Sequence, residues 1–337
     1  MLAMTLVAAG AVCTGQTPAI RNLVMEGAGI RGLAYCGAVE ELAAMGQLDE
    51  LQRVAGTSAG SIVACLLAVG YAPDEVATIV GETDFGDFND GQYMFVGGTT
   101  RTVRAFGWYK GDAFSAWLAG LVAEKTGTPD LTFEALHALR LSGKPNFELH
   151  IAATNLNEQR AEFFSYETHP NMRIVDAVRA SMSVPFWFEA VCLDAEGRVV
   201  EAGKGDVYID GGVLTNYPLT LFDDPMYCTS GECLSADGRN LETLGLRIDD
   251  PLQVAADNAG EGLARRDIEN VEDYVVALYS LVLEGLNRQT LNGTDWSRTI
   301  SISDTSIGPR VKSLSPEAKS QLLDSGRSAV RSHFTPR

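Results

Sequence analysis

Gly56-Thr57-Ser58-Ala59-Gly60 constrains this chain more than any other stretch. A short stretch over residues 51–55, apolar at Leu51, Val54 and Ala55, leads into it, and the run Ser61-Ile62-Val63-Ala64-Cys65-Leu66-Leu67-Ala68-Val69 leads out, apolar enough to demand burial as helix or strand. Strand, sharp turn, helix is the setting that a G-x-S-x-G nucleophile elbow requires. A serine pinned at such a turn projects its hydroxyl away from the backbone. Gly56 and Gly60 let neighbouring chain come close, while the helix N-terminus, with Ala59 first, offers free N–H groups and a partial positive charge to a developing oxyanion. Five residues alone do not separate a nucleophile from a glycine-rich turn, because the chain holds 34 glycines.

At 337 residues the chain can build one large α/β domain with an appendage, or two ordinary domains. Its 46% hydrophobic and 21% charged residues fit a globular protein with a proper core. The formal net charge of −18 argues against nucleic acid as a partner, since no basic face is available to neutralise phosphates. It also argues against electrostatic capture by anionic lipid, so membrane contact would have to be apolar and local. Most of the six cysteines sit in apolar runs. Only Cys228 and Cys233 are close enough, in a Ser/Gly-containing loop, for a local disulfide, a pairing the sequence leaves open. No Cys/His metal spacing accompanies them, so no metal is expected.

Residues 1–12 are apolar and small, shorter than a bilayer span, and no Lys or Arg precedes Arg21. The segment 1–19 is read as a signal-like stretch, with Cys13 a candidate lipidated residue, or as an extra strand. A cytoplasmic or membrane-peripheral chain is the favoured reading, with an exported or lipidated form as the alternative. Residues 20–25 read as the first strand. Gly27-Ala28-Gly29-Ile30-Arg31-Gly32 follows, before a helical run to about residue 45. Gly27, Gly29 and Gly32 complete a G-x-G-x-x-G, with Asp49 and Glu50 near the spacing of a ribose-binding acid. In a dinucleotide fold that acid ends the second strand, whereas here the second strand follows both acids. The same glycines serve better as an oxyanion loop, a concavity of N–H groups beside the elbow at the carboxyl ends of adjacent parallel strands.

A nucleophilic serine needs a base. His137, His150, His169 and His333 carry no surrounding signature, and each reads as structural. Asp210, in Tyr208-Ile209-Asp210-Gly211-Gly212-Val213, ends a β-like run, and Gly211 and Gly212 would let it approach another backbone. Its rival reading is an ordinary turn aspartate. A Ser58/Asp210/His333 triad has the chain order of an α/β-hydrolase. That fold, however, builds several strands before its elbow, and here only one clear strand precedes it.

Taken together these motifs resemble the patatin-like phospholipases, Ser/Asp-dyad acyl hydrolases. The resemblance rests on Gly27 to Gly32 as the oxyanion motif, Gly56 to Gly60 as G-x-S-x-G, and Asp210-Gly211-Gly212 as D-G-G. Ala180-Ser181-Met182-Ser183-Val184-Pro185-Phe186-Trp187-Phe188 is similar to the family's small-residue and proline block, and Lys110-Gly111-Asp112 with Trp117-Leu118 to another of its segments. It covers about residues 20–330 and implies a three-layer α/β/α patatin-like fold with a mainly parallel central sheet. It implies Ser58 and Asp210 as catalytic residues, an oxyanion hole from Gly27, Ala28, Gly29, Ile30 and Ala59, and support from Arg31, Gly32, Gly56, Gly60, Gly211 and Gly212. The substrate implied is a phospholipid or other acyl ester, with no cofactor. One departure is Ala28 where many members have glycine, and a left-handed conformation there would cost roughly 1–2 kcal/mol. The alternative function is a lipid-binding or partner-activated protein with latent hydrolysis.

The expected organisation is a catalytic core over 20–250 and C-terminal helices and a strand over 251–337 packed on it. Residues 85–117 concentrate aromatics that would pack the core or form a cap over the site. Strands are expected over 149–154, 244–249 and 298–303, an external loop over 223–240, and a core-facing helix over 270–287. A last helix should start at Ser315-Pro316-Glu317, with serine as cap and proline at its first position.

Overall fold

The computed structural model describes residues 18–90, 106–228, 233–259, 261–265, 267–269, 291–307 and 313–335, with Tyr274, Ala277, Leu281 and Gly285 between them. The apolar segment up to residue 17, Tyr93 and Phe95, and most of the helix expected over 270–287 lie outside the described residues. Tyr274 and Leu281, expected on a core-facing stripe, are exposed.

The strands are β1 (Asn22–Met25), β2 (Arg53–Thr57), β3 (Gly107–Tyr109), β4 (Glu148–Asn155), β5 (Arg160–Phe164), β6 (Phe186–Phe188), β7 (Val191–Leu193), β8 (Asp206–Asp210), β9 (Thr243–Asp249) and β10 (Thr299–Ser303). The helices are α1 (Leu33–Ala44), α2 (Ala59–Ala68), α3 (Pro73–Glu82), α4 (Asp112–Thr126), α5 (Phe133–Leu141), α6 (Ile174–Ser181), α7 (Gly212–Thr215), α8 (Pro251–Asn258), α9 (Gly293–Ser297) and α10 (Pro316–Phe334). Along β1, Leu23 and Met25 enter one apolar cluster and Val24 another, so both faces are covered. Such a strand reads as an unbroken apolar run, as parallel strands between two layers do. The main sheet runs β10-β9-β1-β2-β4-β8-β7, with β5 also on β4. Strands β10, β9, β1, β2 and β4 are mutually parallel, and β5, β8 and β7 pair antiparallel. This is an α/β architecture with a mainly parallel sheet. β3 and β6 form a separate parallel pair.

One detail of register sets the site. β2 pairs with residues 148–152 of β4, β8 with 153–155, and β5 with 151–155. A strand has two hydrogen-bonding edges, and β5 overlaps both other partners in register. β2 and β8 therefore share the remaining edge and meet end to end between Ala152 and Ala153. The last residue of β8 is Asp210, and Ser58 follows the last residue of β2.

The α10 helix is started by Ser315, whose Oγ accepts the Ala318 N–H at 3.2 Å, and Pro316 takes the first position, where its missing N–H costs nothing. It crosses α1 at two glycines. A Cβ on Gly37 would strike the Leu323 carbonyl, and one on Gly326 the Ala34 carbonyl. Alanine would gain up to about 1 kcal/mol of helix propensity. Forcing two backbones apart costs about 1–3 kcal/mol and wins. Gly326→Ala is thus expected to lower the urea midpoint of unfolding, while alanine at Gly120, a helical glycine with open space around it, should raise it or leave it unchanged.

Candidate active site

Ser58 has φ 49° and ψ −120°, a combination that non-glycine residues rarely adopt. Such a residue costs on the order of 1–3 kcal/mol and persists only where its surroundings over-determine it. Here its N–H donates to Ser181 Oγ at 2.9 Å, and its carbonyl accepts the Ser61 N–H at 2.9 Å and the Ser61 hydroxyl at 2.6 Å. The flanking glycines are obligatory for space. A Cβ on Gly56 would collide with the Gly60 carbonyl, and one on Gly60 with the Met25 carbonyl at the end of β1.

Asp210 is buried, and its carboxylate is hydrogen-bonded by the Ser58 side chain and by the Gly212 N–H, the latter at 2.7 Å. Its backbone is held equally firmly: the N–H donates to the Ser183 carbonyl at 2.9 Å, and the carbonyl accepts from Thr154 Oγ1 at 3.0 Å. Burial pushes its pKa up to about 6, against the opposing pull of the hydrogen bonds from Ser58 and Gly212. Gly211 crosses β4 so closely that a Cβ there would strike the Ala152 carbonyl.

The glycine-rich loop lies beside the elbow. Gly32 has room for no side chain, because a Cβ there would sit 2.8 Å from that of Ala59. Of the five N–H groups expected to face an oxyanion, that of Gly27 is engaged by the Asn216 carbonyl at 3.0 Å, and the Asn216 side chain donates back to the Gly27 carbonyl at 3.0 Å. Ala28 stands at φ −138°, so the left-handed cost anticipated there does not arise; Gly29, at φ 56°, takes that conformation instead. Arg31 fixes the loop: its Nε donates to the Ala28 carbonyl at 3.0 Å and its Nη1 pairs with Asp304 at 3.2 Å.

An apolar pocket opens at Ser58, walled by Ile30, Leu33, Ile62, Val80, Phe85, Phe88, Met182, Val184 and Phe188. The aromatics expected as core or cap divide between the two. Phe114 is fully buried, with Trp117 packed beside it, whereas Phe85 and Phe88 join that cluster and also face the pocket. None of the four histidines lines the pocket. His137 bonds Glu148 at 2.6 Å, and His150 is buried against Phe222 and Tyr227, where burial lowers its pKa to about 4. His169 lies 3.6 Å from Glu162, and His333 packs on Phe334 of α10. Cys228 and Cys233 form the local disulfide, in a segment less external than expected, since Tyr227, Cys233 and Asn240 are buried. Sequence reasoning assigned no role to Asn216, Thr154, Ser181 or Ser183. The only available signal was the motif block that contains the two serines.

A strained serine turn, a buried carboxylate and a glycine-rich loop thus meet at the carboxyl ends of β2, β8 and β1 in the interior of a mainly parallel α/β sheet. The family model for patatin-like phospholipases matches residues 23–223, and the chain belongs to that family. Uncharacterized protein R571 of Acanthamoeba polyphaga mimivirus is 32% identical over 262 residues, covering 77% of this chain and 74% of its own length. Probable lipid hydrolase 463L of invertebrate iridescent virus 6 is 25% identical over 210 residues, which span 60% of this chain and 62% of that protein. Among solved structures, VipD from Legionella pneumophila has the same fold, with a TM-score of 0.63 at 17% identity over 94% of this chain and 67% of VipD. Family membership supports lipid hydrolase activity.

The raised pKa of Asp210 has a consequence for stability. The unfolded carboxyl titrates near 3.8 and the folded one near 6, so the native state binds the proton more tightly and stability falls as pH rises from about 4 to about 6. Asp210→Asn removes that penalty. It is expected to be more stable than wild type at pH 8, by on the order of 1–3 kcal/mol, with the gain shrinking toward pH 4 in paired urea titrations.

Proposed function

We propose that the protein is a serine acyl hydrolase that cleaves fatty-acyl esters of phospholipids through a Ser58–Asp210 dyad and an acyl-enzyme intermediate. The observation that carries this reading is the buried hydrogen bond between Ser58 and Asp210 at the mouth of an apolar pocket. Asp210 takes the hydroxyl proton as Ser58 Oγ attacks the ester carbonyl. The oxyanion faces backbone N–H groups that open helical turns and so lack intrahelical partners: those of Gly29 and Ile30 in the 3₁₀ turn Gly29–Gly32, and that of Ala59 at the start of α2. Collapse of the tetrahedral intermediate expels the lysophospholipid or alcohol, which leaves with the proton from Asp210. A water then gives its proton to Asp210 and attacks the acyl-serine carbonyl, and Ser58 recovers its proton as the fatty acid departs. No cofactor enters these steps.

The acyl chain would lie against Phe85, Phe88 and Phe188. Beside this wall, Phe106, Phe186 and Trp187 are exposed at 52%, 73% and 38%, which supports an apolar, peripheral contact with a lipid surface. Phe186 has φ 68° and pairs in register with Gly107, next to Phe106.

Ser58→Ala and Asp210→Asn should each keep the fold and lower release of fatty acid from phospholipid vesicles by at least about 10³-fold. In wild type, kcat/KM for a soluble ester should rise with pH to a plateau, half-maximal near pH 6, because the base acts only when ionised. Undiminished hydrolysis by folded Ser58→Ala would overturn the mechanism. Phe186→Ser combined with Trp187→Ser should weaken binding to phosphatidylcholine vesicles while leaving hydrolysis of a soluble short-chain ester within about threefold of wild type, since neither side chain touches the reacting atoms.

A further inference from the structure

Arg179, near the end of α6, is buried, yet its hydrogen-bond acceptors among the described residues are a hydroxyl and two carbonyls rather than a carboxylate. Nη1 donates to Ser183 Oγ at 2.5 Å, and the Ser183 hydroxyl donates back to the Arg179 carbonyl at 2.9 Å. Nη2 donates to the Lys110 carbonyl at 2.6 Å and the Glu189 carbonyl at 2.9 Å. The nearby charges are Asp90, Glu189 and Asp112, and burial lowers the guanidinium pKa only to about 10, so the cation persists at neutral pH. The fold makes room for it: Gly111 stands at φ 75° against the guanidinium, and any Cβ there would collide with Arg179 Nε.

The two ends of this contact set are the base and the pocket wall. On one side, Ser183 offers its carbonyl to the Asp210 N–H at 2.9 Å, and two residues earlier Ser181 holds the Ser58 N–H at 2.9 Å. On the other, the guanidinium lies 5.6 Å from the ring centroid of Phe188, which lines the pocket. Asp90, two residues beyond the pocket residue Phe88, accepts the Gly111 N–H at 2.7 Å and the Ala113 N–H at 2.9 Å. Glu189 in turn donates its N–H to the Tyr109 carbonyl at 2.8 Å, tying β6 to β3. A planar guanidinium with several fixed donors can hold these acceptors at once, which a lysine ammonium at the same site cannot.

We propose that Arg179 is a positioning residue: it fixes Ser183 beneath Asp210 and ties the Lys110 carbonyl to that of Glu189, next to the pocket residue Phe188, so that carboxylate, serine hydroxyl and acyl chain keep one relative geometry. This rests on the Ser58–Asp210 reading of the site. Such geometry matters steeply, since a displacement of about 1 Å at reacting atoms can cost on the order of 10²-fold in rate.

The test compares wild type, Arg179→Lys and Ser183→Ala on a soluble short-chain ester, with thermal unfolding to set the folded fraction. The expected result for Arg179→Lys is a fall in kcat per folded molecule of about 10–100-fold with KM changed little, together with a displaced pH midpoint. Ser183→Ala should move in the same direction by less. Fluorophosphonate labelling of Ser58 should slow in parallel. Wild-type kcat and pH midpoint in both variants would overturn the proposal. If Arg179→Lys does not fold, Ser183→Ala decides alone. If wild type hydrolyses nothing, the functional reading fails separately, and the carboxyl ¹³C titration of Asp210 decides: a midpoint shifted in Ser183→Ala supports the positioning role, and one that coincides with wild type overturns it.

Discussion

Asp210 carries its charge almost wholly out of water, with a serine side chain and one backbone N–H to hold it. Burying a carboxylate this way is costly, and the cost appears as a pKa near 6 rather than near 3.8. The surrounding fold has to hold that group in place against water and against relaxation. It does so through backbone hydrogen bonds on both sides of the residue, from Thr154 and to Ser183, and through the close crossing of Gly211 over β4. In the proposed mechanism that penalty is useful, because a carboxylate with raised proton affinity is a better base near neutral pH than an exposed one.

The glycine-rich loop is framed differently, by buried charge. Glu26, directly before Gly27, receives the Asn216 side-chain amide at 3.1 Å and lies 3.8 Å from Arg247 Nε, which is itself paired with Asp249. Glu26 and Arg247 are both almost fully buried. Ion pairs of this kind add little net stability, because desolvation cancels most of the attraction. Removing one partner strands the other, however, so the arrangement resists change at the end of β1. Together with the Arg31–Asp304 pair it couples the loop to β9 and to the end of β10, elements far along the chain. Such rigidity suits the oxyanion role proposed for this loop, because its donors would need no reorganisation as charge develops.

The surface fits the same picture. A chain with net charge −18 is not drawn to anionic lipid by long-range attraction. The exposed aromatics on and beside the β3–β6 pair would instead supply the short-range apolar contact proposed above. Among the described residues no helix is long and apolar enough to cross a membrane.

The sequence by itself determined the local devices. Gly56-Thr57-Ser58-Ala59-Gly60 followed by the apolar run to Val69 prescribes a tight turn and a helix, because only residues without side chains fit where Gly56 meets Gly60. Ser315-Pro316 likewise prescribed the start of α10. Local pattern could also mark Asp210 as a strand end, but not its partner. Only the tertiary structure decided that β8 shares an edge of β4 with β2, that Gly27 gives its N–H to Asn216, and that Ser181 takes the Ser58 N–H while Ser183 takes both the Asp210 N–H and a guanidinium bond from Arg179. The physical reason is range. Periodicity and capping act over a few residues, whereas the bond from Ser58 to Ser181 joins positions 123 residues apart, and its formation depends on how the whole sheet is ordered.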